Sequence, residues 1–313
     1  MSDLKRISLK EAKKYVVWVK KSEKKSNWTI RDYDERLEEF IRYLEEDGVG
    51  FVEEVTPRHI RHFIQELDER GLSEVTINGR LRYIRAFFNL LENDELVEES
   101  FKNPMKGIKL RKELAESNKA IPDDILDKLL KLPDQKTFLG KRNYVCMLLI
   151  LGTGIRPSEM FALNVDDWQD SHIIVRAEVA KGRKRRILPL SSGVVKELYK
   201  YMKIRGNWGG TLLFPSQEGG KLNTNGFRLA LKKLAEQGGL NKDLIHPYAL
   251  RHTFAINFLK AGGDVFKLQR ILGHKTLEMT KRYVQWTSED LQEDYDRMSP
   301  AEKFIKSKKR RRW

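Results

Sequence analysis

Apolar residues in the first third of the chain recur at helical spacing, which commits this stretch to packed helices. Tyr33, Leu37, Phe40, Ile41 and Leu44 share one helical face, and Gly48 is placed to end the segment. Thr56 and Pro57 form an N-cap and first-position pair. Behind them, Ile60, Phe63, Ile64 and Leu67 make a stripe that stops at Gly71. Ser73 can cap a third helix carrying Ile77, Leu81, Ile84, Phe88 and Leu91. Arg80, Arg82 and Arg85 lie between those apolar positions. A basic helix face is either a solvated surface or a set of phosphate contacts.

The helical pattern breaks at Asn103-Pro104, and the polar, basic stretch that follows is expected to be a linker over 106–120. Pro122, Asp123 and Asp124 open a new helix with Ile125, Leu126, Leu129 and Leu130. Farther on, Ile173, Ile174 and Val175 predict one strand, and Ile187, Leu188 and Leu190 another. Helical patterns return over 194–202, 227–234 and 249–259. The expected fold is mainly α with a small β-sheet (α+β). It comprises a helical domain over 1–105, a second domain over 121–298 and a basic tail over 299–313.

Charge narrows the partners. The 313 residues carry a net charge of +15, and the isoelectric point is about 9.6. Such an excess points to a polyanion, nucleic acid or an anionic membrane surface, and it favours phosphate contact for Arg80, Arg82 and Arg85. The longest apolar run, 144–151, is far short of the ~18–20 residues needed to span a bilayer. The charged N-terminus (Asp3, Lys5, Arg6) lacks the apolar stretch of a secretory signal. Cys146 is the single cysteine, so no internal disulfide forms, and a buried core thiol is expected. A cytoplasmic location follows as the expectation.

Four short segments carry the chemistry. The first, Gly152-Thr153-Gly154-Ile155-Arg156-Pro157-Ser158-Glu159, follows the apolar run and should turn into a helix. The second is Lys181-Gly182-Arg183-Lys184, between the two strands. The third is His246-Pro247-Tyr248-Ala249-Leu250-Arg251-His252-Thr253. The fourth is Leu272-Gly273-His274, with Tyr283 nine positions after the histidine. In this order and near this spacing they resemble the tyrosine recombinases, the phage integrase family that includes Xer-type resolvases and mobile-element recombinases.

That resemblance implies a role for each match. Arg156 takes the place of the first catalytic arginine, with Glu159 as the supporting acid. Lys181 matches the β-hairpin lysine, Arg251 the second arginine, His274 the histidine of the leucine-glycine-histidine box, and Tyr283 the nucleophile. The likeness covers Pro122 to about Trp286 well. Over the N-terminal part it rests on helical pattern alone, which fits a core-binding domain. It also implies double-stranded DNA with specific sites as the partner, a tetramer acting on that DNA, and accessory DNA-bending proteins in some systems. Arg183 and Lys184 join Arg80, Arg82 and Arg85 as candidate DNA contacts. Lys181 is crowded by Arg183, Lys184, Arg185 and Arg186, so a general phosphate-binding loop is the competing account.

The residue types suit the reaction. A phosphodiester is anionic and repels an anionic nucleophile. Two arginines can grip its non-bridging oxygens and stabilise charge that grows in the transition state. A phenol, with an ordinary pKa near about 10, needs its proton removed or its phenolate stabilised by cations. A lysine can protonate the departing 5′-oxygen. A histidine can hydrogen-bond the phosphate or assist proton movement. A 3′-phosphotyrosine conserves the energy of the broken ester, so rejoining calls for no nucleotide cofactor, and the arginines remove the need for a metal.

One position departs from the family pattern. Tyr248 stands three residues before Arg251, where the family usually has histidine. A neutral tyrosine is a poor base near neutral pH but can donate to a phosphate oxygen, so Tyr248 is expected to position the phosphate. Integration or excision of a mobile element is the expected role. A Xer-like dimer resolvase and a type IB topoisomerase-like enzyme share the chemistry. A DNA-binding regulator and a metal-dependent transposase fit the residues less well.

Overall fold

The computed structural model describes residues 6–112 and 120–284. The chain divides into two compact units, Met1–Glu116 and Ser117–Trp313.

The first unit is built from α1 (Leu9–Ser22), α2 (Asn27–Glu46), α3 (Pro57–Glu69) and α4 (Glu74–Asn93). Sequence periodicity pointed to the last three. The first starts at a capping box: the Glu11 amide donates to Ser8 Oγ, and the Ser8 amide donates back to the Glu11 carboxylate. Each helix turns one apolar face inward. Phe40, Phe63, Phe87 and Phe88 are fully buried among leucines and isoleucines. Phe40 meets the Phe63 ring at 5.1 Å and 60°, an edge-on contact. Truncating such a residue to alanine costs about 3–5 kcal/mol.

The expected linker begins later than its composition suggested. Met105 and Ile108 are buried in the helical core. Arg85 donates to the Ile108 carbonyl at 2.7 Å. The Asn78 side chain bonds both the carbonyl and the amide of Arg111. A polar side chain from α4 satisfies the backbone here, so polarity at 106–111 did not mean a free strand of chain. Residues 113–119 of that expected linker lie outside the described residues.

The second unit contains α5 (Asp123–Lys131), α6 (Phe138–Thr153), α7 (Pro157–Met160), β1 (Trp168–Gln169), β2 (His172–Val175), β3 (Arg186–Pro189), α8 (Ser192–Arg205), α9 (Thr224–Gln237), α10 (Pro247–Lys260), α11 (Val265–Leu272) and α12 (Glu278–Val284). The apolar run became the centre of α6, which is buried nearly all round and packs between α8 and α10. Cys146 lies in this core, and burial pushes its thiol up to about 12.

The sheet is antiparallel in the order β1-β2-β3. Ile173 pairs with Leu188 on the buried face, and Val175 pairs with Arg186 at the sheet's end. Both predicted strands are present; two-residue β1 was not foreseen. A smaller cluster of Phe254, Ala255, Ile256, Leu268, Leu272 and Tyr283 joins α10, α11 and α12. No helix among the described residues is long and apolar enough to cross a membrane. Trp286 and the basic tail lie outside the described residues.

Candidate active site

The site forms where α6 ends. Gly154 adopts φ +61° and closes the helix, its amide donating to the Ile150 carbonyl at 2.8 Å. A Cβ there would meet the Phe254 ring at 2.3 Å, so α10 approaches this turn as closely as a glycine allows. The chain then turns through Arg156, the N-cap of α7, with Pro157 at its first position.

Arg156 donates from Nη1 to Glu159 Oε1 at 3.1 Å and from Nη2 to the Gly273 carbonyl at 2.9 Å. Those contacts occupy two of the five N–H groups a guanidinium carries. Arg251 reaches the same place from α10. It is 5% exposed and donates to the Gly154 and Leu272 carbonyls and toward His274 Nε2 at 3.2 Å. Burial, with the Arg156 cation beside it, pushes the Arg251 guanidinium down to about 9, so it stays charged at neutral pH.

Glu159 anchors the group. It is 1% exposed and accepts from Arg156, from both terminal nitrogens of Arg186 and from the Lys181 amide. Burial alone would raise its pKa. The hydrogen-bonded Arg186 and the nearby Arg156 outweigh that and hold the carboxyl below the usual range.

His274 follows Gly273, which ends α11 at φ +63°. Its Nδ1 lies 2.8 Å from Thr280 Oγ1. Tyr283, 2% exposed, lies nearly parallel to the His274 ring with centroids 6.2 Å apart, and the His252 ring lies 5.1 Å from it. Arg156, Arg251, His274 and Tyr283 therefore gather around residues 272–274, although the first and last are far apart in sequence.

The remaining expected residues stand differently. Lys181 contributes its amide to Glu159 while its side chain is exposed on the β2–β3 connection. Arg183 (φ +51°) and Lys184 are exposed on the same connection. Tyr248 is 52% exposed in the first turn of α10, and among the described residues its hydroxyl has no hydrogen-bond partner. His246 is the N-cap of α10: its Nδ1 accepts from the Ala249 amide at 3.1 Å. Partial burial and the Arg228 cation lower the pKa of this imidazole.

In the helical unit, Arg82 is exposed. Arg80 was expected on DNA but is turned onto Glu39 at 2.8 Å, with 11% of its side chain exposed. Arg85 is half-buried on the Ile108 carbonyl. An α-helix shows two flanks beside its apolar stripe, and these two arginines occupy flanks that neighbouring segments cover.

Two residues of the cluster were given no chemistry from sequence. Arg186 was counted with a basic run, yet strand alternation puts it on the same face as buried Leu188, with Ile187 opposite and exposed. Thr280 carried no local signal, because its bond to His274 depends on how α12 packs.

The phage integrase family model matches residues 119–289. The model of the phage integrase N-terminal SAM-like domain matches residues 12–95. The chain belongs to the phage integrase family. Its relatives include the tyrosine recombinase XerC of Oceanobacillus iheyensis, 31% identical over 94% of this chain and 97% of the relative. The XerC of Bacillus subtilis is 30% identical over 90% and 94%. Solved structures share the tyrosine recombinase fold. The Tn1549 transposon integrase in complex with a circular intermediate DNA superposes with TM-score 0.74 at 21% identity, covering 88% of this chain and 95% of that one. A lambda integrase dimer bound to a COC′ core site gives 0.72 at 16% identity, covering 90% and 78%. The chain is a tyrosine recombinase with an α+β fold, as its motifs implied.

Proposed function

We propose that this tyrosine recombinase cuts and rejoins duplex DNA at specific sites through a covalent bond to Tyr283. The Tyr283 hydroxyl gives up its proton to water, its oxygen attacks a backbone phosphorus, the bond to the 5′-oxygen breaks, and a 3′-phosphotyrosine forms. Arg156 and Arg251 hold the non-bridging oxygens, His274 fixes the Arg251 guanidinium by accepting from it at Nε2, and Lys181 gives a proton to the departing 5′-oxygen. Tyr248 donates to the phosphate from the edge of the site. A 5′-hydroxyl of the exchanging strand then reverses the step. Protomers work as a tetramer on paired sites, in the cytoplasm.

The observation that carries this reading is the convergence of Arg156 and Arg251 on the chain at 272–274, with Tyr283 stacked beside His274. A nicked suicide substrate tests it. Wild type should accumulate a protein–DNA adduct that maps to Tyr283, and Tyr283→Phe should form none. An adduct with the Phe variant would end the proposal.

Two biological roles share this chemistry. Integration or excision of a mobile element is one. Resolution of chromosome or plasmid dimers is the other, and the near-full-length likeness to proteins named XerC favours it. Sequencing the sites trapped from a genomic library separates them: replicon resolution sites support the second, and element ends support the first.

A further inference from the structure

Arg186 opens β3, at the start of a strand whose other residues make an ordinary edge. Its guanidinium nonetheless bonds inward through all three nitrogens. Nε donates to the Ile271 carbonyl at 3.0 Å, and Nη1 and Nη2 donate to the two oxygens of Glu159 at 3.2 and 2.5 Å. Its side chain is 11% exposed. A Cβ on Gly273 would lie 3.3 Å from both Arg186 and Arg156, so the two guanidiniums flank the same turn.

Charge balance gives this arrangement a purpose. Glu159 is buried and bonded to Arg156. With Arg156 as its sole cation, the carboxylate would cancel the charge that a phosphate must feel. A second guanidinium, bidentate on Glu159, carries that anion instead. Three cations then face one carboxylate, and Arg156 and Arg251 keep their attraction for an anionic ligand. The Ile271 contact also ties the end of α11, and with it the His274 turn, to the sheet.

We propose that Arg186 is a positioning residue for strand cleavage: it neutralises Glu159 and fixes the 271–274 turn, leaving the charge of Arg156 and Arg251 to the scissile phosphate. This rests on the proposed cleavage reaction, whose own test is the Tyr283→Phe adduct.

The experiment measures adduct formation on two suicide substrates, one with a normal scissile phosphodiester and one with an uncharged methylphosphonate. Thermal unfolding and DNA binding are followed in parallel. Arg186→Met leaves Arg156 as the cation that must balance Glu159, so cleavage of the phosphodiester should fall by about 30-fold or more, and the neutral substrate should lose much less. The double variant Arg186→Met, Glu159→Gln removes both charges and should recover about 10-fold of that loss. Arg186→Lys keeps the charge without the fork, and its loss should be similar on both substrates. If Arg186→Met does not fold, the equally neutral Arg186→Gln takes its place in both the single and the double variant. Equal losses on the two substrates for Arg186→Met overturn the proposal. So does a double variant no better than the single variant it is compared with. In either case wild type still forms the Tyr283 adduct, which keeps this failure distinct from failure of the cleavage reading.

Discussion

Arg251 donates from Nη2 toward Nε2 of His274 at 3.2 Å, both side chains being buried. A guanidinium can only donate, so Nε2 accepts and a neutral His274 carries its proton on Nδ1. Thr280 Oγ1, 2.8 Å away, is then the acceptor for that proton. Thr280→Val keeps the shape of the side chain and removes the acceptor. We expect it to slow adduct formation by about 10-fold, the scale of losing one buried hydrogen bond, with Thr280→Ser close to wild type. Single-turnover cleavage measures this, and full activity in the valine variant would release His274 from that tautomer.

Glu159 should leave a signature in acid. Its folded pKa lies below the ordinary value, so the unfolded chain takes up the proton first as pH falls. Its contribution is whole above the unfolded carboxylate pKa of about 4.3 and is lost as pH drops through the folded value. Glu159→Gln should therefore destabilise the protein by about 3 kcal/mol at neutral pH, and the gap should narrow below that range. Urea midpoints across pH test it; a gap that stays constant into acid counts against the charged network.

The basic residues of the two units should separate by salt dependence. Lys184 is exposed beside the site, so Lys184→Ala should weaken DNA binding and reduce the salt slope by about one. Arg80 is paired with half-buried Glu39, so Arg80→Ala should lower the unfolding midpoint and leave the slope unchanged. A reversed pattern in fluorescence titrations would return Arg80 to the DNA surface.

Tyr248 stands exposed one helical turn before Arg251. As a phosphate donor it would contribute through its hydroxyl, and Tyr248→Phe should reduce cleavage by roughly 10-fold with no change in stability. An unaltered cleavage rate and pH profile would remove it from the site. His246 is excluded as a substitute base while its Nδ1 caps α10.

Much of this was visible in the sequence, for reasons that differ by residue. Arg156, Arg251, His274 and Tyr283 could be named because their short segments are punctuated by glycine and proline, which fix backbone shape locally. The buried stripe of Leu37, Phe40, Ile41 and Leu44 was legible from period alone. Arg80 misled because a side chain between apolar positions can point either to solvent or to a neighbouring helix. Whether Glu39 waits there is a tertiary fact. The start of the linker failed similarly, since Asn78 reaches Arg111 across sequence. The helix α1 had a readable Ser8–Glu11 capping box, masked by its dense lysines.

The carbonyls that receive Arg156, Arg186 and Arg251 belong to Gly154, Ile271, Leu272 and Gly273. Main-chain oxygens do not depend on which side chain hangs beside them. Apolar replacements of similar volume at 271 and 272 should thus be tolerated, whereas any Cβ at 273 would press on two guanidiniums in a backbone state that resists it. Aim in this centre is inherited from the path of the polypeptide, and mutational drift is least free where that path bends.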